Sequence, residues 1–492
     1  MEESLDQRSP NRISRRSILS WSAGGALGLL GASLVAACSS NPATPTAVPV
    51  AASQPTAAPT PNSTTAGQPT VAKPAPTTAP AVKPTVAPPA PAQAAVDALT
   101  FMRPSSGGAE SKAYEAMLQG WGTHHPNIKV SFVPVANADY ETKMLTEIAG
   151  GVVRDVIGLT PGVMPVFAAK KAIVPLDPYV KSSSDLKIDD FFPAHWKNGQ
   201  YQGQQYSIPP DGSPLFIVYN TELFQKNSVK PPAAGWTWDD CLKTCQSLTK
   251  KSGQRVTQFG GSFASNIFPW LFANDANAID VNNNKVTIDQ KSAVDTLAYL
   301  GDLVVKYHVN PTPSEQTEMG QNFFLTGKVG MVVANRGGIG TAYRAAPFKI
   351  DVAPIPNSPS TGHSGSQITP LQMAIETPNK HPDEAWLLLD YLASFESQIT
   401  RFTMYGGYPS RKSVAADPRF ASSVQPSWVG TEINTKVMDI AADKNTGFIP
   451  NHPNWSEMND ALNKHLDDLW GGKLPADTVA KAAAADMSKL IG

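Results

Sequence analysis

The chain predicts an α/β fold in two lobes, and three observations lead there. From residue 98 onward, short apolar strands alternate with amphipathic helical stretches, the pattern that builds a parallel or mixed sheet with helices on its faces. That portion runs on to Gly492, longer than one hydrophobic core usually serves, so two lobes are expected. Ahead of it lie a signal-like N-terminus and a stretch with little means of folding.

The N-terminus comes first. Ser14-Arg15-Arg16-Ser17-Ile18-Leu19 resembles a twin-arginine export signal. The apolar segment Trp21–Ala37 behind it is short and rich in glycine, whereas a transmembrane helix needs about 20 strongly apolar residues. Leu34-Val35-Ala36-Ala37-Cys38 resembles a bacterial lipobox, which implies cleavage before Cys38 and lipid on its sulfur. Residues 1–37 therefore read as a lipoprotein signal peptide. An uncleaved anchor with an incidental cysteine is the other reading, and both hold this end at a membrane. Residues 38–97 form one segment in which Ser39 to about Ala95 is mainly Pro, Ala, Thr, Val and Ser, with Lys73 and Lys83 its charges. Prolines remove backbone donors and small side chains offer little area to offset chain entropy, so this reads as a disordered tether.

In the globular part, "ALTFM" predicts a strand and 111–124 a helix. "IKVSFVPV" predicts the next strand and "DYETKMLTEIAGG" a helix closed at Gly150-Gly151. "RDVIGL" and "VMPVFAAKKAI" repeat the pair. Ligands of such sheets bind beyond the carboxyl ends of the strands, which singles out the loops "RPSSGGAES", "VANADY" and "LTPGVM". Cys241 and Cys245 fall one turn apart on a helical segment, where packing under the helix suits them better than a disulfide.

Several chemistries lose support. The formal net charge is −1 with no long basic run in the globular part, so nucleic-acid binding lacks an electrostatic basis. Asp280, Asn282 and Asn284 begin like a calcium loop, but Lys285 and Lys291 stand where glycine and glutamate are required. Asn283-Asn284 reads instead as a hairpin turn. No metal-ligand spacing or Gly-x-Ser-x-Gly element is seen, so no metal, cofactor or catalytic residue is assigned.

The segments "NIKVSFVPVANADYETKMLTEIAGGVVRDVIGL", "KKAIVPLDPYV", "DDFFPAHWKNGQYQGQQYSIPPDGSPLFIVYNTELFQK" and "PPAAGWTWDDCLKTCQSLTK" come in a telling order. They are followed by "FLTGKVGMVVAN", "FKIDVAPIPNSP", "HPDEAWLLLDYLAS" and "YGGYPSRKSVAADP". In that order the chain resembles the large carbohydrate-binding family of extracellular solute-binding proteins of ABC importers. The resemblance implies a periplasmic-binding-protein clamshell (type II-like) with the ligand between the lobes. It implies hinge crossings near Pro210-Asp211-Gly212, in "SQITPLQMAI" and near Ser410–Ala415. Lobe one then takes 98–211 with 368–412, and lobe two 212–367 with 413–492.

A sugar offers hydroxyls at its rim and C–H patches on its faces, so its site wants planar polar groups and aromatic rings. Ser105, with Ser106, follows the first strand. Asp139 and Tyr140 open a helix in a loop that often reaches ligand in this family, although Asp139 also suits a helix first turn. Thr160 follows the third strand, and Asp211 sits at the first expected hinge. Trp270 is the aromatic candidate of lobe two, with core packing of Phe268, Trp270 and Phe272 as its alternative. Asn335 and Arg336 end the strand "VGMVVA" where many relatives carry tryptophan, and Arg336 raises the case for a charged ligand. Gln367 lies at the second hinge, Tyr405 with Tyr408 in "YGGYPSR", and Trp455 is a further lid or platform.

The expectation is a monomeric, membrane-tethered binder that captures a carbohydrate by lobe closure and delivers it to ABC permease subunits. Two alternatives stay open. One is the same fold with a charged or non-sugar ligand, such as a sugar acid, phosphate ester or peptide. The other is a secreted glycoside hydrolase using Asp139 and Asp211.

Overall fold

A computed structural model describes residues 98–183, 186–320, 322–337, 346–423 and 430–491. Cys38, the twin-arginine stretch, the tether and the end of the glycine segment after Asn335 lie outside these residues. The first sheet is built as its sequence pattern suggests. β1 (Leu99–Ser105) runs parallel to β2 (Val130–Ala136), with Leu99 opposite Val130 and Ser105 opposite Ala136. β3 (Val156–Leu159) pairs parallel with β1 on its other side. Parallel neighbours need crossovers, which α1 (Gly108–His124) and α2 (Asn137–Ala149) supply. The strand Gln372–Ile375 then joins β3 antiparallel and completes the sheet.

α3 (Val163–Ala169) stops sooner than "VMPVFAAKKAI" suggests. Lys171 turns left-handed, at φ 56°, and the Ala172 amide bonds back to the Phe167 carbonyl. That is a helix stop made without glycine.

The second sheet has the order Ile350–Ala353, Leu215–Asn220, Val329–Asn335, Arg255–Ser262 and Lys250–Ser252. Every residue of "LFIVYN" is buried there, as expected of a strand covered on both faces. The sheets are the centres of two lobes. Segments linking them lie side by side: Ile208 bridges to Met373, Asp211 to Pro409 and Pro214 to Ile368.

Cys241 and Cys245 are buried free thiols on the helix Trp238–Leu248. The fit beneath that helix is tight, since a Cβ at Gly260 would fall 2.1 Å from the Cys245 carbonyl oxygen. A thiol reagent is therefore expected to leave both unlabelled in the native chain and to label both in denaturant, as peptide mapping would show. Labelling at native pH without denaturant would contradict that packing.

Ile279–Asp280 pairs antiparallel with Lys285–Val286, and Asn284 sits at φ 49°. The Asp280 carboxylate accepts the amides of Asn282 and Asn283, as an Asx turn does. Among the described residues no helix is long and apolar enough to cross a membrane.

Candidate functional site

The loops beyond β1 and β3 converge with the chain that links the lobes. Ser105 is buried, its hydroxyl 3.0 Å from Ser111 Oγ and 3.2 Å from the Gly107 carbonyl. Ser106 is exposed; its amide donates to Glu110 Oε2 at 2.7 Å and its hydroxyl accepts from Asn137 Nδ2 at 3.2 Å. The half-buried Tyr405 lies beside the Ser106 side chain, and burial raises its phenol pKa. Thr160 donates to Glu141 at 2.6 Å. Thus Ser105, Ser106 and Tyr405 lie together, with Thr160 on the neighbouring strand end.

Past Thr160, Gly162 holds φ 86°, a left-handed value suited to glycine. A Cβ there would sit 3.7 Å from the Trp455 ring and 3.8 Å from Ile449 Cδ1. Trp455 begins the helix Trp455–Trp470 and meets Phe268 edge-on, centroids 5.7 Å apart. This is where the β3 turn faces an aromatic wall carried by the other lobe's core. A polar clasp lies nearby. Asn451 donates to the Asn198 and Gln200 carbonyls at 2.8 and 3.1 Å, and Gln372 donates to Asn198 Oδ1 at 2.7 Å.

Other expected residues are placed differently. Asp139 is exposed in the first turn of α2. Tyr140 is wholly buried, its hydroxyl donating to the Gly158 carbonyl, so the structure keeps it in the core. Its burial raises the phenol pKa far above the ordinary value. Trp270 is also without exposed surface, packed by Phe263, Tyr299 and Trp238 at 5.3, 5.7 and 6.2 Å. It is a core residue, and its neighbour Phe268 meets Trp455 instead.

Arg336 is not the open cation that its sequence position suggests. It is 2% exposed, donates to the Gly407 carbonyl and lies 4.1 Å over the Phe420 ring. Burial pushes its pKa down to about 9. Asn335 is half-buried at the end of its strand, opposite Leu215. Gln367 is buried in a short strand paired with Thr446–Phe448, and Tyr408 is buried against Phe192 and Phe420.

Asp211 belongs to a cluster that sequence reading missed. Its Oδ2 meets Arg401 Nη2 at 2.8 Å, and its Oδ1 accepts the Leu371 amide at 3.2 Å. Arg401 also meets Glu110, at 3.4 Å, and Glu110 meets Arg103 at 2.9 Å. Burial alone would raise the Glu110 pKa; the Arg103 and Arg401 charges and the Ser106 amide outweigh it and hold the carboxyl below its usual range. The available signal was Arg103 itself, a charge inside the apolar run "LTFMRPS", where a buried cation needs a partner.

Known proteins share this architecture. A protein of Brucella abortus named as a binding protein is 24% identical over 389 residues, covering 77% of this chain and 89% of its own. The cyclic alpha-maltosyl-1,6-maltose binding protein of Arthrobacter globiformis superposes with TM-score 0.70 at 17% identity, over 80% of this chain and 99% of that one. The sugar-binding protein MalE of Xanthomonas citri gives 0.69 at 18%, over 80% and 97%. An ABC substrate-binding protein of Listeria monocytogenes, in complex with cycloalternan, gives 0.66 at 20%, over 80% and 98%. The family profile described as bacterial extracellular solute-binding protein matches residues 105–399, well over half of the sequence, and the chain belongs to that family.

Proposed function

We propose that this protein captures a sugar or oligosaccharide between its lobes, without altering it, and presents the closed form to the permease subunits of an ABC importer. The observation that carries this is the meeting of the Gly162 turn with Ile449 and Trp455, which sets a bare backbone against an aromatic face across the lobes. Trp455 is 4% exposed where it packs on this turn; parting of the lobes would free its indole for the C–H face of a sugar ring, with the hydroxyls toward Ser105, Ser106 and Tyr405. Ligand then bridges the lobes and shifts the population toward closure. The solved relatives named for maltosyl-maltose and cycloalternan support a carbohydrate.

The remaining organisation follows the same reading. Lobe one is taken as 98–211 with 368–412 and lobe two as 212–367 with 413–492, and the bridges of Asp211 to Pro409 and Pro214 to Ile368 support crossings near those bounds. Lipid on Cys38 and the tether to residue 97 would hold a monomeric receptor outside the cytoplasm, near its importer. A hydrolase pair from Asp139 and Asp211 is disfavoured, because Asp211 is tied to Arg401 while Asp139 lies exposed on α2.

The test is tryptophan fluorescence of the full chain titrated with mono- and oligosaccharides, with product analysis on the same samples. A saturable change without product is expected, reduced in Trp455→Phe. Accumulating product, or no response from folded protein to any sugar, would defeat the reading.

A further inference from the structure

Sugar capture leaves one group of buried atoms unexplained. Arg103 and Arg401 are 2% and 3% exposed, and both lie over the Tyr114 ring, 3.9 and 5.1 Å from its centroid. Arg103 Nη2, Arg401 Nε and Nη1 and the Tyr114 hydroxyl are buried without a hydrogen-bond partner among the described residues. Buried polar atoms are nearly always bonded, so four in one place point to something the site receives.

What it receives is constrained by what is already occupied. Glu110 Oε1 takes both arginines and Oε2 takes the Ser106 amide. Asp211 Oδ1 takes the Leu371 amide and Oδ2 takes Arg401. Every carboxylate oxygen of the cluster accepts a bond, and the open positions are three guanidinium nitrogens and a phenol. Guanidinium nitrogens donate only. A hydroxyl can accept from one of them but adds a further proton to a cluster richer in donors than in acceptors, whereas a carboxylate brings acceptors alone and gains charge-assisted bonds. The cluster itself is buried; the exposed Ser106, whose amide bonds the Glu110 that both arginines share, is its neighbour on the solvent side.

We propose that Arg103, Arg401 and Tyr114 form the acid-recognising end of the ligand site, and that the ligand is a sugar bearing a carboxylate, a uronic acid or an oligosaccharide ending in one. This rests on the sugar-capture reading and narrows it. It also moves the cationic role that the sequence suggested for Arg336 onto Arg103 of β1 and Arg401 of the helix Phe395–Met404.

Calorimetry on the full-length chain tests it, with D-galacturonate and D-glucuronate set against D-galactose, D-glucose and maltose. The acids are expected to bind at least about 10-fold tighter than their neutral counterparts, as charge-assisted bonds would give. Tyr114→Phe is the informative variant, because the hydroxyl it removes has no partner among the described residues. It should weaken acid binding about 5- to 10-fold while the unfolding midpoint stays level or rises. Arg103→Lys, which keeps a charge beside Glu110, should weaken acid binding in the same direction. Neutral sugars binding as well as the acids, or unchanged acid affinity in Tyr114→Phe, would overturn this inference and leave sugar capture standing. No binding of either class by folded protein would overturn both.

Discussion

Glu110→Ala is expected to destabilise the folded chain by about 3–5 kcal/mol, the usual cost of leaving buried charges uncompensated. Glu110 is 5% exposed and holds Arg103 and Arg401 at 2.9 and 3.4 Å. Without it, Asp211 is the one carboxylate left to Arg401, and Arg103 loses the partner of its Nη1. Urea unfolding would register the loss as a lower midpoint at unchanged slope. Glu110→Gln, which keeps acceptor geometry for one nitrogen but no charge, should fall between. The carboxyl pKa is lowered in the folded state. Its contribution is therefore present above the ordinary value and is lost as pH falls through the folded one. A change below about 1 kcal/mol would mean that the arginines re-pair elsewhere, as partly exposed ion pairs can.

Acidification from pH 6.5 toward 4 is expected to remove about 3 kcal/mol of stability through His195. The ring is wholly buried and its Nε2 donates to the Gly212 carbonyl at the junction between lobes. That bond fixes the neutral tautomer and leaves the buried Nδ1 without a partner among the described residues. Burial lowers the pKa from 6.5 to about 4, with the Gly212 bond opposing in part. The sign follows from proton counts. Below pH 6.5 the unfolded chain takes up a proton on this histidine and the folded chain does not, so stability falls until the folded group titrates near pH 4. His195→Gln retains a donor for Gly212 and does not titrate. The stability difference between the two proteins, followed by urea unfolding across this range, should shift in favour of the variant on acidification; a difference constant with pH would sink the idea.

The three parallel strands of the first sheet were legible because each announces itself locally, whereas its fourth strand, Gln372–Ile375, lay in a segment read only as a hinge crossing. The strand–helix alternation from Leu99 to Ala169 needs only short-range pattern, and there the structure departs mainly at one helix end, where Lys171 adopts a glycine-like angle. The hairpin at Asn283-Asn284 was legible for the same reason. The site was harder. "FPWLF" gives a helix with aromatic residues spaced about it, and periodicity does not say which of them meets the other lobe. Trp270 went inward and Phe268 met Trp455. Arg103, Glu110 and Arg401 escaped because their meaning is relational. Arg401 sits on an ordinary amphipathic helix, and nothing nearby in the sequence reveals that it faces Glu110.

That pairing also sets an order of events during synthesis. Arg401 and Glu110 are 291 residues apart, and the Arg154 amide that bonds Glu376 waits across 222. The sheet begun by the earliest strands gains its last strand only when Gln372–Ile375 has emerged. Until then the β3 edge lacks its partner and Glu110 has only Arg103 of its two cations. The nascent chain thus carries an unfinished first lobe through the making of the second, and contacts of such long separation are formed slowly. Translation must be nearly complete before either half can be secure, so premature termination should yield material for proteases instead of a working half-receptor.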